Sequence, residues 1–167
     1  MTKTTEIDEP RETVPPTNVI HGLHLWNLRE IVVPTDLGVE RRNAVAYAMI
    51  LARSCNAHLT LLHVYKEPYS LEYLRGPRVG QAREQQRQCA KNALELLGKQ
   101  ARKEYQNCST ELREGAVCEE IANAAQDLQA DLMIIGSRAN KWVRRCAYGS
   151  DADSIVRMAP CPVLIVH

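Results

Sequence analysis

The chain has 167 residues, a formal net charge of +1, and a charged fraction of 25% against a hydrophobic fraction of 45%. That size suits one domain with a real core, and near-neutrality removes any bulk attraction to nucleic acid or to an anionic membrane. No apolar run approaches the roughly 18–20 residues of a membrane span, and the N-terminus carries no hydrophobic signal core. The expectation is a cytoplasmic protein without membrane or nucleic-acid partners.

Residues 1–27 are polar, contain Pro10, Pro15 and Pro16, and lack sustained periodicity. They read as a mobile tail ahead of a domain at 28–167. Within the tail, His21-Gly22-Leu23-His24 has the spacing of a metal pair but no third ligand, so no metal is assigned to it. Ile31-Val32-Val33, β-branched and closed by Pro34, predicts a buried strand. Over 39–55, Val39, Ala44, Val45, Ala48, Leu51 and Ala52 recur at helical spacing.

Leu59–Tyr65 is apolar on both faces and predicts a strand of a sheet covered on both sides. His63 within it reads as a satisfied core or rim residue. Residues 66–80 are irregular, and a charged helix follows over about 81–105, with Ala90, Ala93, Leu94, Leu97 and Ala101 inward. Thr110–Glu114 alternates as an edge strand should. Gly115 turns into a helix near 117–128, and Asp131–Ile135 is a fourth strand. A helix over about 150–158 is stopped by Pro160-Cys161-Pro162, and Val163–Val166 forms a fifth strand.

Strand and helix alternate throughout, which predicts an open, doubly wound parallel α/β sheet with helices on both faces. Ligands of such sheets lie outside the carboxyl ends of the strands, near the switch in strand order. Those ends are Pro34-Thr35-Asp36, Val64-Tyr65, Gly115 and Gly136-Ser137. The six cysteines (Cys55, Cys89, Cys108, Cys118, Cys146, Cys161) contain no C-x-x-C pair and read as buried free thiols.

The loop after the fourth strand is the chemically richest segment. Gly136-Ser137 opens it, Arg138, Lys141, Arg144 and Arg145 make it basic, and Gly149-Ser150 closes it. Glycines let a backbone approach an anion, and the N–H groups of a helix start face it with partial positive charge. A basic loop suits phosphate, and equally suits solvent. Ser150 and Asp153 form a capping-box-like start that needs no ligand. Asp151 repels phosphate unless it points outward or a divalent cation intervenes. Ala139 stands where glycine would be easier; a positive φ there costs on the order of 1 kcal/mol, approaching the roughly 1.4 kcal/mol that weakens binding tenfold. Asp36 can accept from a ribose hydroxyl or adenine amine, or cap the following helix. With no nucleotide-hydrolase or nucleophile-elbow motif and no evident general base, a catalytic role is not expected.

Ile31–Asp36, Leu61–Val64, Asp131–Arg138 followed by Gly149-Ser150, and Ala159–Val166 together resemble the universal stress protein family over about residues 29–167. The resemblance implies a five-stranded Rossmann-like sheet of the adenine nucleotide alpha hydrolase type, in the order 3-2-1-4-5. ATP-binding members share G-x-x-G, nine residues, then G-[S/T]; Gly136, Gly149 and Ser150 match, and Ala139 departs. By this resemblance Asp36 approaches the adenosine part and the backbone of Val64 meets the adenine. Gly136, Gly149, Ser150 and the N–H of Asp151 hold the phosphates. Pro34, Thr35, Ile135, Ser137, Arg138 and Ala139 complete the nucleotide-binding set. The implied ligand is ATP, with or without Mg²⁺, acting as a regulatory signal in a homodimer formed through the strand at 163–166. The alternative is a nucleotide-free dimeric regulatory protein of the same family, favoured by Ala139, Asp151 and Trp142.

Overall fold

Strand and helix do alternate along the chain, and the reason is visible in which side chains each strand turns to either face. The computed structural model describes residues 28–38, 42–65, 77–136 and 151–166. The elements are β1 (Glu30–Pro34), α1 (Arg42–Cys55), β2 (His58–Tyr65), α2 (Pro77–Glu104), β3 (Cys108–Glu114), α3 (Val117–Asp127), β4 (Leu132–Gly136), α4 (Asp151–Met158) and β5 (Val163–Val166). All strand pairs are parallel, and the sheet order is β3-β2-β1-β4-β5. This is the expected class and order. The expected tail at 1–27, the irregular segment from 66 to 76 and the loop from 137 to 150 lie outside the described residues.

Ile31, Val33, Leu59, Leu61 and Ile134 face α1 and α2, where Ala44, Val45, Ala48, Ala52, Leu94 and Ala101 cover them. Val32, Leu62, Val64, Met133 and Ile135 face the opposite layer, against Cys118, Ile121, Ala124, Ala125 and Ile155. A central strand that is apolar on both sides can be buried only between two helical layers. Small alanines on the helices bring their backbones close to the sheet, which lets a core close in a chain with no Phe.

The helix ends are set by caps that no glycine announces. Asn56 has φ 54° after α1, where Ala57 N–H donates to Ala52 O at 2.9 Å. Gln129 has φ 52° after α3, where Ala130 N–H donates to Ala125 O at 2.9 Å. Both are left-handed caps that satisfy terminal carbonyls and turn the chain into the next strand. The Tyr105 hydroxyl lies 2.5 Å from Ala57 O and 3.2 Å from Ala52 O, joining the ends of α1 and α2.

One helix boundary differs from expectation. α2 begins at Pro77 rather than near 81, because proline at the first helical position lacks only an N–H that has no partner there. Of the expected helix over 39–55, the described part starts at Arg42. α2 is 28 residues long, yet none of residues 79–93 is buried; ahead of Leu94 the Tyr65 hydroxyl of β2 donates to Gln86 Oε1 at 3.2 Å.

The cysteines depart in part from the expected burial. Cys108 and Cys118 are buried, Cys55 and Cys161 are partly buried, and Cys89 is exposed on the outer side of α2. Burial pushes the Cys108 thiol up to about 11, with Arg102 pulling it back and Glu30 adding to the rise. Cys146 lies outside the described residues. At pH 8 a thiol with that pKa is ionised in roughly one molecule in a thousand. Alkylation of the native protein followed by peptide mapping should therefore label Cys89 readily and leave Cys108 unlabelled until denaturant is added.

Gly98 sits where α2 crosses β3, and an added Cβ there would lie 2.4 Å from Thr110 Cγ2 and 3.1 Å from Arg102 Nη1. Alanine gains about 1 kcal/mol of helix propensity, but overpacking costs about 1–3 kcal/mol. Gly98→Ala should lower the unfolding free energy by about 1 kcal/mol. Adding Thr110→Ser removes the clashing methyl and keeps the 2.7 Å bond to Glu95, so the double variant should recover most of that loss in denaturant unfolding.

Candidate functional site

The exit of β1 is the most tightly determined part of the crevice. Pro34 ends the strand, and Thr35, only 2% exposed, donates its N–H to Leu62 O at 2.7 Å. His63 Nδ1 lies 2.7 Å from Thr35 O. A carbonyl can only accept, so Nδ1 carries the hydrogen. Thr35 is thus bound to β2 through both its N–H and its carbonyl, and His63 is the satisfied rim residue its strand position suggested.

Beyond this anchor the chain folds back sharply. Leu37 N–H donates to Thr35 Oγ1 at 3.3 Å, and Gly38 N–H donates to Asp36 Oδ1 at 2.7 Å. Leu37 adopts φ 59°, a left-handed conformation that an Asx turn imposes at this point. A Cβ at residue 38 would stand 3.0 Å from Asp36 Oδ1, so glycine lets the carboxylate close over the turn. One oxygen of Asp36 is therefore structural. Its other oxygen, Oδ2, makes no hydrogen bond among the described residues. Asp36 thus closes the turn just ahead of residue 39; residues 39–41, between it and the described start of α1, lie outside the described residues.

The opposing wall is the end of β4. Ile135 is 5% exposed and Gly136 is the last strand residue. Among the described residues, a Cβ added at Gly136 would meet only Ala44 Cβ, at an ordinary 3.7 Å. Ala44, in the first described turn of α1, therefore stands over the end of β4. β1 lies between β2 and β4, and the chain runs outward to β2 and β3 before returning to β4 on the other side. This is the switch point where doubly wound sheets open a crevice.

Of the expected nucleotide-binding residues, Pro34, Thr35, Asp36, Val64, Ile135 and Gly136 share this end of the sheet. The strands carrying Val64 and Ile135 are two spacings apart, about 10 Å, with Val64 two residues further along the register. Ser137, Arg138, Ala139, Gly149 and Ser150 lie outside the described residues. Asp151 opens α4, with its side chain outside the description. Gly115, with φ 150°, turns β3 into α3 and donates its N–H to Tyr65 O at 3.2 Å, closing the crevice on the β2 side. The tie from His63 to Thr35 escaped the sequence reading because its partner is a backbone carbonyl on another strand. Among the described residues no group of three or more His, Cys, Asp or Glu side chains could hold a metal ion. Nor is any described helix long and apolar enough to cross a membrane.

Comparison with known proteins agrees with this architecture. The universal stress protein family profile matches residues 27–167. Universal stress protein G of Escherichia coli O157:H7 is 30% identical over 142 residues, covering 83% of this chain and 99% of its own length. The solved universal stress protein UspA from Lactobacillus plantarum superposes with a TM-score of 0.67 at 24% identity, covering 84% of this chain and 99% of that one. Two further structures of the same fold carry adenine nucleotides. One is a universal stress protein from Archaeoglobus fulgidus in complex with dAMP (TM-score 0.60, 17% identity, 84% and 99% covered). The other is a universal stress protein in complex with cAMP (TM-score 0.60, 20% identity, 84% and 98% covered). A parallel sheet of this order, opened at β1 and β4 and matched by the family profile over nearly all of its described length, places the chain in the universal stress protein family.

Proposed function

We propose that the crevice between the ends of β1 and β4 binds an adenine nucleotide as a regulatory ligand of a cytoplasmic stress-response protein. The observation that carries this reading is the doubly anchored β1 exit, which holds Asp36 at the strand-order switch with Oδ2 unused among the described residues. Adenine nucleotides in the dAMP and cAMP complexes of the same fold support the ligand class. Asp36 Oδ2 would accept from a ribose hydroxyl or the adenine amine, and the backbone of Val64 would meet the base. Gly136 gives the phosphates close access, with Gly149, Ser150 and the Asp151 N–H on their far side. Ser137, Arg138 and Ala139 would continue the same cradle. ATP, with or without Mg²⁺, is the proposed ligand. It acts by bridging β1 to the loop after β4 rather than by being consumed.

We further propose a homodimer through β5. This strand is at the edge of the sheet, and Leu164 and Ile165 are 39% and 40% exposed on its two faces. A second copy would pair the open edge and cover both side chains. Ile165→Glu should then convert the dimer to a monomer in sedimentation analysis.

Calorimetric titration with ATP, ADP, AMP and cAMP, with and without Mg²⁺, tests the ligand. Saturable binding is expected, weakened about tenfold or more by Asp36→Ala and strengthened about tenfold by Ala139→Gly. Absence of saturable binding below about 1 mM overturns the reading. If Ala139→Gly then creates binding where the natural chain has none, the nucleotide-free alternative is the correct one.

A further inference from the structure

At the end of the sheet opposite the crevice, polar side chains of β1, β2 and β3 form a continuous chain on the face that α3 covers. Glu30 Oε1 lies 2.5 Å from Thr60 Oγ1, and Thr60 Oγ1 lies 3.2 Å from Ser109 Oγ. Ser109 Oγ lies 2.9 Å from His58 Nε2, and His58 Nδ1 lies 2.8 Å from Asn107 Oδ1. Thr60 is 1% exposed, whereas Asn107 is exposed, so the chain runs from the interior to water. Parallel register makes it possible by setting Glu30 beside His58 and Thr60 beside Ser109.

Counting hydrogens restricts what this chain can be. The amide oxygen of Asn107 only accepts, so His58 Nδ1 carries a hydrogen. The contacts from Glu30 to Thr60, Thr60 to Ser109 and Ser109 to His58 each need one hydrogen. The two hydroxyls supply one apiece, and the remaining one must sit on Glu30 or on His58. We infer that Glu30 and His58 share a single proton through Thr60 and Ser109, making a pH-sensitive tie across β1, β2 and β3.

The two proton arrangements are related by one shift along the chain. With the proton on Glu30, its carboxyl O–H donates to Thr60, Thr60 donates to Ser109, and Ser109 donates to neutral His58 Nε2. With the proton on His58, the imidazolium Nε2–H donates to Ser109, Ser109 donates to Thr60, and Thr60 donates to the Glu30 carboxylate. Every contact holds one hydrogen in either form. Removing the shared proton leaves two lone pairs facing each other in one contact, and adding a second forces two hydrogens into one contact.

The surroundings favour retention of the proton. Burial raises the Glu30 carboxyl above its ordinary value, opposed by the Thr60 hydrogen bond and by His58, and reinforced by Asp131 and Glu111. Asp131, ahead of β4, accepts the N–H groups of Arg29 and Glu30 at 2.7 and 3.0 Å. Arg113 pairs with Glu111 at 2.5 Å and with Asp127 of α3 at 2.9 Å. The raised carboxyl loses its contribution as pH rises through its folded value. The tie therefore loosens as the shared proton leaves on raising the pH, and also at low pH, where a second proton disrupts one contact.

An NMR pH titration of the full chain, following the His58 ring and the Glu30 carboxyl carbon, tests the inference. Both nuclei should report the same two midpoints. In Ser109→Ala and Thr60→Val each nucleus should instead report one midpoint of its own, whereas Thr60→Ser should keep the shared pair. Independent single midpoints in the natural chain overturn the inference, and so does a neutral His58 with its hydrogen on Nε2. The natural chain decides the matter even if a variant does not fold.

Discussion

β1 has both of its faces sealed and both of its edges paired, and the rest of the molecule is arranged to permit this. Ile31, Val32 and Val33 are each no more than 1% exposed. Such a segment needs a helical layer above and below and a strand on either side. The chain meets that demand by winding outward to β3 and then returning across β1 to β4. The return opens the strand ends at β1 and β4, so the crevice is a by-product of burying the central strand. Its walls come from elements already fixed by the core. That suits a binding site, whose geometry gains from rigid support.

The two ends of the sheet use the same strands for different purposes. At the carboxyl end, Thr35 is held through backbone groups to Leu62 and His63, and the carboxylate of Asp36 is half committed to a turn. At the amino end, Glu30, Thr60, Ser109 and His58 add a chain of side-chain hydrogen bonds to their backbone pairing. Backbone ties persist across pH. Side-chain ties depend on how many protons they contain.

Most of the fold was legible because its signal is local. The two-faced apolar runs of β1, β2 and β4 name their own environment, and the alternation of Thr110–Glu114 marks an edge, where β3 is found. The start of α2 was misplaced because Pro77 reads as a breaker from sequence alone, whereas a proline that opens a helix is indistinguishable until the helix is seen. The caps at Asn56 and Gln129 were missed because a left-handed residue is announced by glycine and neither position has one. In the site, Asp36 and Gly136 were identifiable by their place after strands. The partners of Thr35, His63 and Glu30 were not, since each depends on the register between strands far apart in the chain.

The overhang of α2 carries a consequence of its own. A helix of 28 residues spans about 42 Å, while the seven-residue β3 beneath it spans about 23 Å. The stretch ahead of Leu94, with no buried residue from 79 to 93, is held more by its own backbone hydrogen bonds and surface contacts, such as Tyr65 to Gln86, than by core packing. One continuous helix thus joins two regimes of amide protection, and its forward half is where hydrogen exchange and proteolytic nicking begin while the sheet is still intact.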